Sequence, residues 1–230
     1  RDAFAHHWAT VHVDVLVNQA RHKHYNRRYV QNRFLDIDGF DDESFDGAAQ
    51  MIPQSAEVLR HGFQEDPLYR QFVRPDELLF LDVQSCQVLY CEHHSIQTVV
   101  SGHAGLKAFV LVRRQAATSQ IDFLKAWQER TQALVASESS LCGVVHHHVI
   151  QDAARGMADG VACLQPFDLV EELFFHDLSS LRRVAASAAF GEDFATHSAL
   201  PPGQGSIIFA AQERLVYDDT DDANLRSVQS

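Results

Sequence analysis

The feature that most restricts the fold of this chain is an internal repeat. The stretch FAHHWATVH at residues 4–12 has a distant counterpart in DFLKAWQERT at residues 122–131. Aligning Trp8 with Trp127 also aligns Phe4 with Phe123, at an offset of 119 residues. Self-similarity at a fixed spacing indicates that one structural unit has been built more than once.

Two further pairs of segments keep the same register. The offset of 119 residues places RRYVQNR (27–33) on HHHVIQD (146–152) and VLYC (88–91) on IIFA (207–210). The order of the matches is the same in both halves of the chain. We therefore expect two domains, residues 1–100 and residues 101–230, the second being a diverged copy with an acidic tail.

The second copy has the clearer pattern of helices and strands. The β-branched and aromatic run KAFVLVRRQ (107–115) predicts a strand, and Thr118 or Ser119 is the expected N-cap of a helix that ends near Val135. CGVVHHHVI, FDLVEELFF and SIIFAAQER predict three more strands, with a helix capped by Asp177 before the last. The order is β-α-β-β-α-β, which is the ferredoxin-like arrangement.

The first copy shows the same order with one element missing. A helix (2–20), two strands (24–35 and 45–52), a second helix (54–63) and a strand (85–94) are predicted, but no strand precedes the first helix. We expect that strand upstream of Arg1, or its place taken by another segment. The predicted fold class is α+β, with two ferredoxin-like repeats packed sheet to sheet as a pseudo-dimeric α/β barrel.

Composition and charge exclude several kinds of partner. The chain has 31 acidic and 19 basic residues and a formal net charge of −12, which repels nucleic acid and anionic lipid. No apolar run approaches the roughly 18 residues of a membrane-spanning helix, and no secretory signal begins the sequence, so we expect a cytoplasmic protein. The four cysteines lack CxxC spacing and are expected to be reduced thiols.

Three motifs resemble a known family. Phe4, His7, Trp8 and His12 are similar to the F-xx-(Y/H)-W-xxx-H pattern that opens a helix in EthD-domain proteins, which belong to the dimeric α/β-barrel superfamily. RRYVQN (27–32) and RPDELLFLD (74–82) are similar to later elements of the same domain. The chain departs from the family at Val13-Asp14, where Gly-Pro is usual. The resemblance implies a small barrel enzyme that acts on hydrophobic, often aromatic compounds without an organic cofactor.

His12 is the predicted acid–base catalyst. On an α-helix Phe4, Trp8 and His12 share one face, and an imidazole near neutral pKa is the commonest general acid or base. The counterpart of His12 is Thr131, although Phe and Trp are retained, which suggests that only the first copy keeps the chemistry. A purely structural buried histidine is the alternative. His7 is a further catalytic candidate, although on an ideal helix His7 and His12 are not expected to face the same cavity.

The remaining candidates follow from strand alternation and from the family likeness. Tyr29 is expected to donate a hydrogen bond to a developing oxyanion. The predicted substrate-binding residues are Trp8, Tyr25, Asn32, His94 and His148. The histidine runs at 93–94 and 146–148 also suggest a metal site, but the sequence provides no third ligand position, so no metal is predicted.

The function predicted from these observations is a cofactor-independent lyase or dehydratase that uses histidine acid–base catalysis on a small hydrophobic aromatic compound, in catabolism or secondary metabolism. Two alternatives stay open: a cofactor-free monooxygenase of the same fold, and a protein that binds a small molecule without catalysis. Neither nucleic acid nor membrane is an expected partner, and a homodimer is an expected assembly.

Overall fold

Seven antiparallel strands form one sheet in a computed structural model of the chain, which describes residues 1–40, 45–55, 57–58, 63–100, 105–150, 167–186 and 207–220. The strands are β1 (Asn26–Leu35), β2 (Gly47–Pro53), β3 (Cys91–Gln97), β4 (Leu106–Val112), β5 (Leu141–Val149), β6 (Leu169–Phe175) and β7 (Ile207–Asp218). Their order in the sheet is β2-β1-β7-β4-β6-β5-β3. Because β1 pairs with β7 and β3 pairs with β5, one sheet joins the two halves, and the predicted pair of separate sheets is wrong.

The sheet is strongly curled. Neighbouring strands lie about 4.8 Å apart, so β2 and β6, four places apart in the order, would be separated by roughly 19 Å in a flat sheet. Yet Gln50 Nε2 on β2 donates a hydrogen bond to Glu172 Oε1 on β6 at 2.5 Å. The face that carries Gln50 and Glu172 is therefore concave, and we call the opposite face convex.

The helices lie on the convex face. Helix α1 (Asp2–His7) continues into the π-helical segments Trp8–His12 and Val15–Gln19, and α2 (Arg74–Phe80) follows the π-helical turn Tyr69–Val73. Two more helices within the described residues are α3 (Gln120–Ser137) and α4 (Leu178–Ala185). The helix at 69–80 was not predicted, and the helix predicted at 54–63 lies partly outside the described residues.

The predicted helix caps are confirmed. The side chain of Ser119 accepts a hydrogen bond from the Asp122 backbone N–H at the start of α3, and Asp177 accepts one from Ser180 at the start of α4. These contacts satisfy backbone donors that have no partner within the helix. Both helices therefore begin where the sequence places their caps.

Strand alternation divides the core between the two faces. On β4, the side chains of Leu106, Ala108, Val110 and Val112 pack with Phe123 and Trp127 of α3 on the convex face. The intervening Phe109 and Leu111 pack in a different cluster on the concave face. Both faces of the central strands are thus buried, which positions polar side chains of β4 and β6 inside the molecule.

Residues 106–218 follow the element order β4-α3-β5-β6-α4-β7, as predicted for the second copy. A boundary between two domains was predicted after residue 100. Residues 101–104, which follow it, lie outside the described part of the chain. None of the described helices is both long and apolar enough to cross a membrane.

Candidate active site

The concave face carries a buried lysine. Lys107 Nζ lies 2.6 Å from Glu172 Oε2 and from Glu213 Oε2, and 3.0 Å from Gln50 Oε1. Its side chain is only 1% exposed. An ammonium group has three N–H donors, so these contacts use all of them. Two carboxylates and an amide therefore compensate a charge that would be very costly to bury alone.

Two more side chains complete this group, which we call the concave cluster: Asn32, Gln50, Lys107, His147, Glu172 and Glu213. Asn32 Nδ2 donates to Gln50 Oε1 and to the Ala48 carbonyl, both at 2.9 Å. His147 Nε2 contacts Glu172 Oε1. When His147 is neutral and donates from Nε2, its Nδ1 atom remains as an acceptor. The carboxylate therefore orients an imidazole that is 17% exposed.

The electrostatics of the cluster keep Glu172 ionised. Burial by itself raises the pKa of Glu172, but the charge of Lys107 and the hydrogen bonds from His147 and Lys107 outweigh burial, so its pKa lies well below the ordinary value. Burial, and then the nearby Glu172 charge, raise the pKa of the Cys91 thiol to about 12. Cys91 is therefore a neutral thiol beside the cluster at physiological pH.

An apolar wall adjoins the concave cluster. Phe34, Phe109 and Phe209 are buried there, and the rings of Phe109 and Phe209 are stacked with centroids 5.1 Å apart. Lys107 Nζ lies 5.1 Å from the Phe109 centroid, which is within the range of a cation–π contact. The concave face thus combines aromatic surface with proton acceptors, as expected for a site that binds a small aromatic molecule and accepts a proton from it.

The convex face holds a second group of titratable residues. Asp76 of α2 is buried and binds two histidines, His7 Nε2 through Oδ1 and His12 Nδ1 through Oδ2, each at 2.7 Å. His7 and His12 are five residues apart and would diverge on an α-helix. The π-helical segment Trp8–His12 closes hydrogen bonds between residues five apart, so both side chains reach one carboxylate. The expectation that they face different directions is therefore wrong.

His12 is placed as a neutral imidazole. Burial lowers its pKa, and the hydrogen bond and charge of Asp76 offset only part of this effect. Because Nδ1 binds Asp76, Nε2 is the acceptor of the neutral ring. The Phe80 ring packs against both histidines, with centroids 4.9 Å from His12 and 4.7 Å from His7.

Tyr29 lies beneath the same helix and is fully buried. Its hydroxyl oxygen accepts hydrogen bonds from Trp8 Nε1 and Gln31 Nε2, both at 3.0 Å. Burial raises the pKa of Tyr29 to about 12, against the opposing effect of these two donors. Tyr29 is thus a neutral phenol inside the core, and its predicted catalytic role stays a prediction.

The remaining predicted residues are dispersed. Asn32 belongs to the concave cluster, whereas Tyr25 donates a hydrogen bond from its hydroxyl to Asp66. His94 has a side chain that is 43% exposed and stacks on His148 with centroids 3.9 Å apart. Burial, and then the neighbouring imidazoles beginning with His94, lower the pKa of His148 to about 4. The structure therefore brings together His7, His12, Trp8 and Tyr29, but not the full predicted site.

Sequence reasoning missed most of the concave cluster. A usable signal was present, because Lys107 interrupts the apolar strand LKAFVLV and two glutamates interrupt LVEELFF. Charged residues are rarely buried unless they are paired, so their presence within such strands indicates an internal polar group.

Within the described residues, no group of three or more His, Cys, Asp and Glu side chains is arranged to hold a metal ion.

A comparison with protein families finds a match for the first part of the chain. Residues 1–84 match the EthD domain family. This segment is similar to the EthD domain. It contains Trp8, His7 and His12 and the aspartate that binds both histidines, Asp76. The predicted family resemblance is therefore confirmed for this region. No curated protein sequence matches the chain.

Solved structures show where the fold recurs. An anthrone oxidase-like protein matches 93% of this chain and 91% of its own, with a TM-score of 0.59 and 12% sequence identity. A protein from Lactobacillus acidophilus NCFM with the provisional name of monooxygenase matches 92% of this chain and 90% of its own, with a TM-score of 0.46 and 9% identity. At 12% identity, the first likeness establishes a common fold and nothing more.

The prediction of a lyase or dehydratase is wrong. The EthD match and the solved structure named as an anthrone oxidase-like protein agree with the oxidative alternative rather than with a lyase. The coarser features, an α+β protein with a curled antiparallel sheet, agree with the prediction.

Proposed function

We propose that the protein is a monooxygenase or oxidase that acts on a small phenolic aromatic compound bound at the concave face. The observation that carries this proposal is the junction between the concave cluster and the wall of Phe34, Phe109 and Phe209. The EthD match at residues 1–84 and the name of the anthrone oxidase-like structural neighbour support the oxidative chemistry.

The proposed first step is removal of a proton from the substrate. His147 is the general base, because its Nε2 atom contacts the buried Glu172 carboxylate and its Nδ1 atom is left as the acceptor. Lys107 holds Glu172 and Glu213 in place, but it has no further N–H donor for the substrate. The side chain of Lys107 therefore supports the proton acceptors and does not itself anchor the bound molecule.

The proposed second step is reaction of the deprotonated substrate with dioxygen. An aromatic ketone with an acidic CH2 group gives an electron-rich anion when it loses a proton. Transfer of four electrons from this carbon to O2 converts CH2 to C=O, and the second oxygen atom leaves as water. All of the reducing equivalents come from the substrate, and in this proposal the chain supplies the base and the apolar surroundings.

Oxygen uptake with anthrone as the probe tests this proposal. We expect the purified protein, assayed with a chelator and without added flavin, to consume one O2 per anthrone and form anthraquinone. Replacing the base, His147→Ala, is expected to lower the turnover about a hundredfold or more. The exposed His6→Ala is the matched control and should keep the turnover of the wild type. Full activity of His147→Ala would remove this residue from the mechanism.

His12 is a second candidate for the base, in keeping with the catalytic role predicted for it, His7 and Tyr29. The supporting observation is the contact between His12 Nδ1 and the buried Asp76 carboxylate, together with the lowered pKa of His12. The same assay on His12→Ala separates the two candidates. A hundredfold loss in this variant, with His147→Ala unaffected, would move the proposed site to the convex face.

The tandem duplication remains part of this proposal. Residues 106–218 have the order β-α-β-β-α-β, and residues 2–97 have helix, strand, strand, helix and strand. The residues of the concave cluster come from both halves, since Asn32 and Gln50 lie in the first and Lys107, His147 and Glu172 lie in the second. A complete site therefore requires both halves of the chain.

A further inference from the structure

Two oxygen atoms of the concave cluster are buried without a hydrogen-bond partner among the described residues. They are Asn32 Oδ1 and Glu213 Oε1. Asn32 on β1 lies directly opposite Glu213 on β7 in the register of the two strands. Directly opposite side chains of paired strands have Cβ atoms about 5 Å apart, so both acceptors belong to one small region of the concave face.

The partner that these atoms lack is a donor. Asn32 Nδ2 already donates to Gln50 and to the Ala48 carbonyl, and all three N–H groups of Lys107 are engaged. Arg28 Nη2 lies 4.0 Å from Glu213 Oε1, within ion-pair range but beyond hydrogen-bond distance, and Arg28 Nε lies 3.5 Å from Asp218 Oδ2. A buried acceptor without a donor costs about as much as a lost hydrogen bond, and such atoms are rare in folded proteins.

We propose that Asn32 Oδ1 and Glu213 Oε1 select a substrate with at least two hydroxyl groups on its aromatic frame. This inference rests on the proposed function, because it specifies the substrate of the same site. Each hydroxyl donates to one acceptor while the ring packs against the wall of Phe34, Phe109 and Phe209. An ionised carboxylate has no proton to donate and is disfavoured by the same acceptors.

A polar site built to bind hydroxyl groups discriminates strongly against a ligand that lacks them. Without a hydroxyl, each acceptor stays desolvated and unpaired in the complex. An apolar pocket would show the opposite behaviour, because a hydroxyl would only add a desolvation cost. The affinity order of hydroxylated and plain aromatic compounds therefore reports whether the two acceptors face the ligand.

Binding of a matched series tests the inference without requiring turnover. The probes are naphthalene, a naphthol and a dihydroxynaphthalene, with dissociation constants measured by quenching of tryptophan fluorescence under nitrogen. We expect each added hydroxyl to tighten binding about tenfold. Equal affinities for the three compounds, or no binding of any of them, would overturn the inference.

Two variants assign the effect to the named atoms. Asn32→Leu should remove the gain from one hydroxyl and bind naphthalene at least as tightly as the wild type, which also shows that this variant is folded. Glu213→Gln retains an amide oxygen that can still accept, so it should keep most of the preference. A preference that survives Asn32→Leu would overturn the assignment.

The outcomes separate this inference from the proposed function. Preferential binding of the dihydroxynaphthalene without oxygen uptake from any phenolic compound would support the binding inference and reject the oxygenase. Oxygen uptake without any preference among the three probes would reject only the role of Asn32 and Glu213.

Discussion

The two tryptophan helices of the chain bury similar side chains but pair them with carboxylates of different origin. In the first, Trp8 Nε1 donates to Tyr29, and His12 binds Asp76 from the short helix α2. In the second, Trp127 Nε1 and the Thr131 hydroxyl both donate to Glu171 Oε1 of β6, at 3.3 and 2.5 Å. The carboxylate thus belongs to a neighbouring helix in one case and to the sheet in the other.

The comparison of the two carboxylates indicates that the Glu171 contacts are structural. Glu171 is fully buried and also binds His146 and Arg130, at 3.0 and 3.3 Å. Burial by itself raises the pKa of Glu171, but the hydrogen bond from His146 and the charge of Arg130 lower it overall. A carboxylate with four partners inside the core fixes the helix to the sheet. The Asp76 contacts instead join two helices through the imidazoles of His7 and His12.

The largest expected effect therefore comes from the second helix. Glu171→Gln removes the buried charge that pairs with Arg130 and His146, and we expect the free energy of unfolding to fall by about 3–5 kcal/mol. Urea denaturation monitored by tryptophan fluorescence measures the change, with the slope m unchanged. The exposed Glu129→Gln on the same helix is the control and should stay within about 0.5 kcal/mol of the wild type. A cost below about 1 kcal/mol would contradict the structural role.

Much of this arrangement could be predicted from the sequence, because local signals determine it. The caps Ser119 and Asp177, the strand positions of the second half and the EthD motifs of the first depend on residues close together in the chain. Hydrophobic periodicity and capping chemistry report such local features. Trp8 and Trp127 are both buried, as the helical spacing of the apolar residues predicts.

Two features could not be predicted because they depend on distant contacts or on helix geometry. The concave cluster joins Gln50 to Glu172 only because the sheet curls, and no local pattern reports that curvature. The shared contact of His7 and His12 with Asp76 requires a π-helical turn, whereas the interpretation of the pattern assumed an ideal α-helix. Single π-helical turns within helices are frequent at functional sites.

Acid is expected to weaken the first tryptophan helix before the second. His22, at the end of that helix, is fully buried, donates from Nδ1 to Tyr217 and accepts from Asn26 at Nε2. Burial, and then the nearby His12, lower its pKa to about 4. The unfolded chain therefore binds more protons between pH 6.5 and 4, so stability is full above pH 6.5 and falls by about 3 kcal/mol as the pH decreases to 4.

Urea denaturation at pH 7 and pH 4.5 measures this loss, and hydrogen exchange shows where it begins. His22→Gln should reduce the pH dependence, whereas the exposed His6→Gln should not change it. Protection lost first from residues 2–24, before α3, is the expected pattern. Simultaneous loss in both helices would contradict the difference between them.

The smallest expected effect on stability comes from Asp76→Asn, and it tests whether the first helix is more than structural. An asparagine can accept a hydrogen bond from only one of the two imidazoles, and the remaining bonds are no longer charge-assisted, so we expect a loss of about 1–2 kcal/mol. Asp14→Asn is the matched control, because that exposed carboxylate on the same helix contacts only Asn18 and Gln19 in the described structure.

Oxygen uptake by Asp76→Asn distinguishes the two roles of this group. If His12 only supports the helix, turnover should remain within about threefold of the wild type once the variant is folded. If His12 is the base, loss of the carboxylate that orients Nδ1 should lower the turnover at least tenfold and alter its pH profile. A stability change without a change in turnover would leave His147 on the concave face as the favoured base, and would make the first tryptophan helix structural like the second.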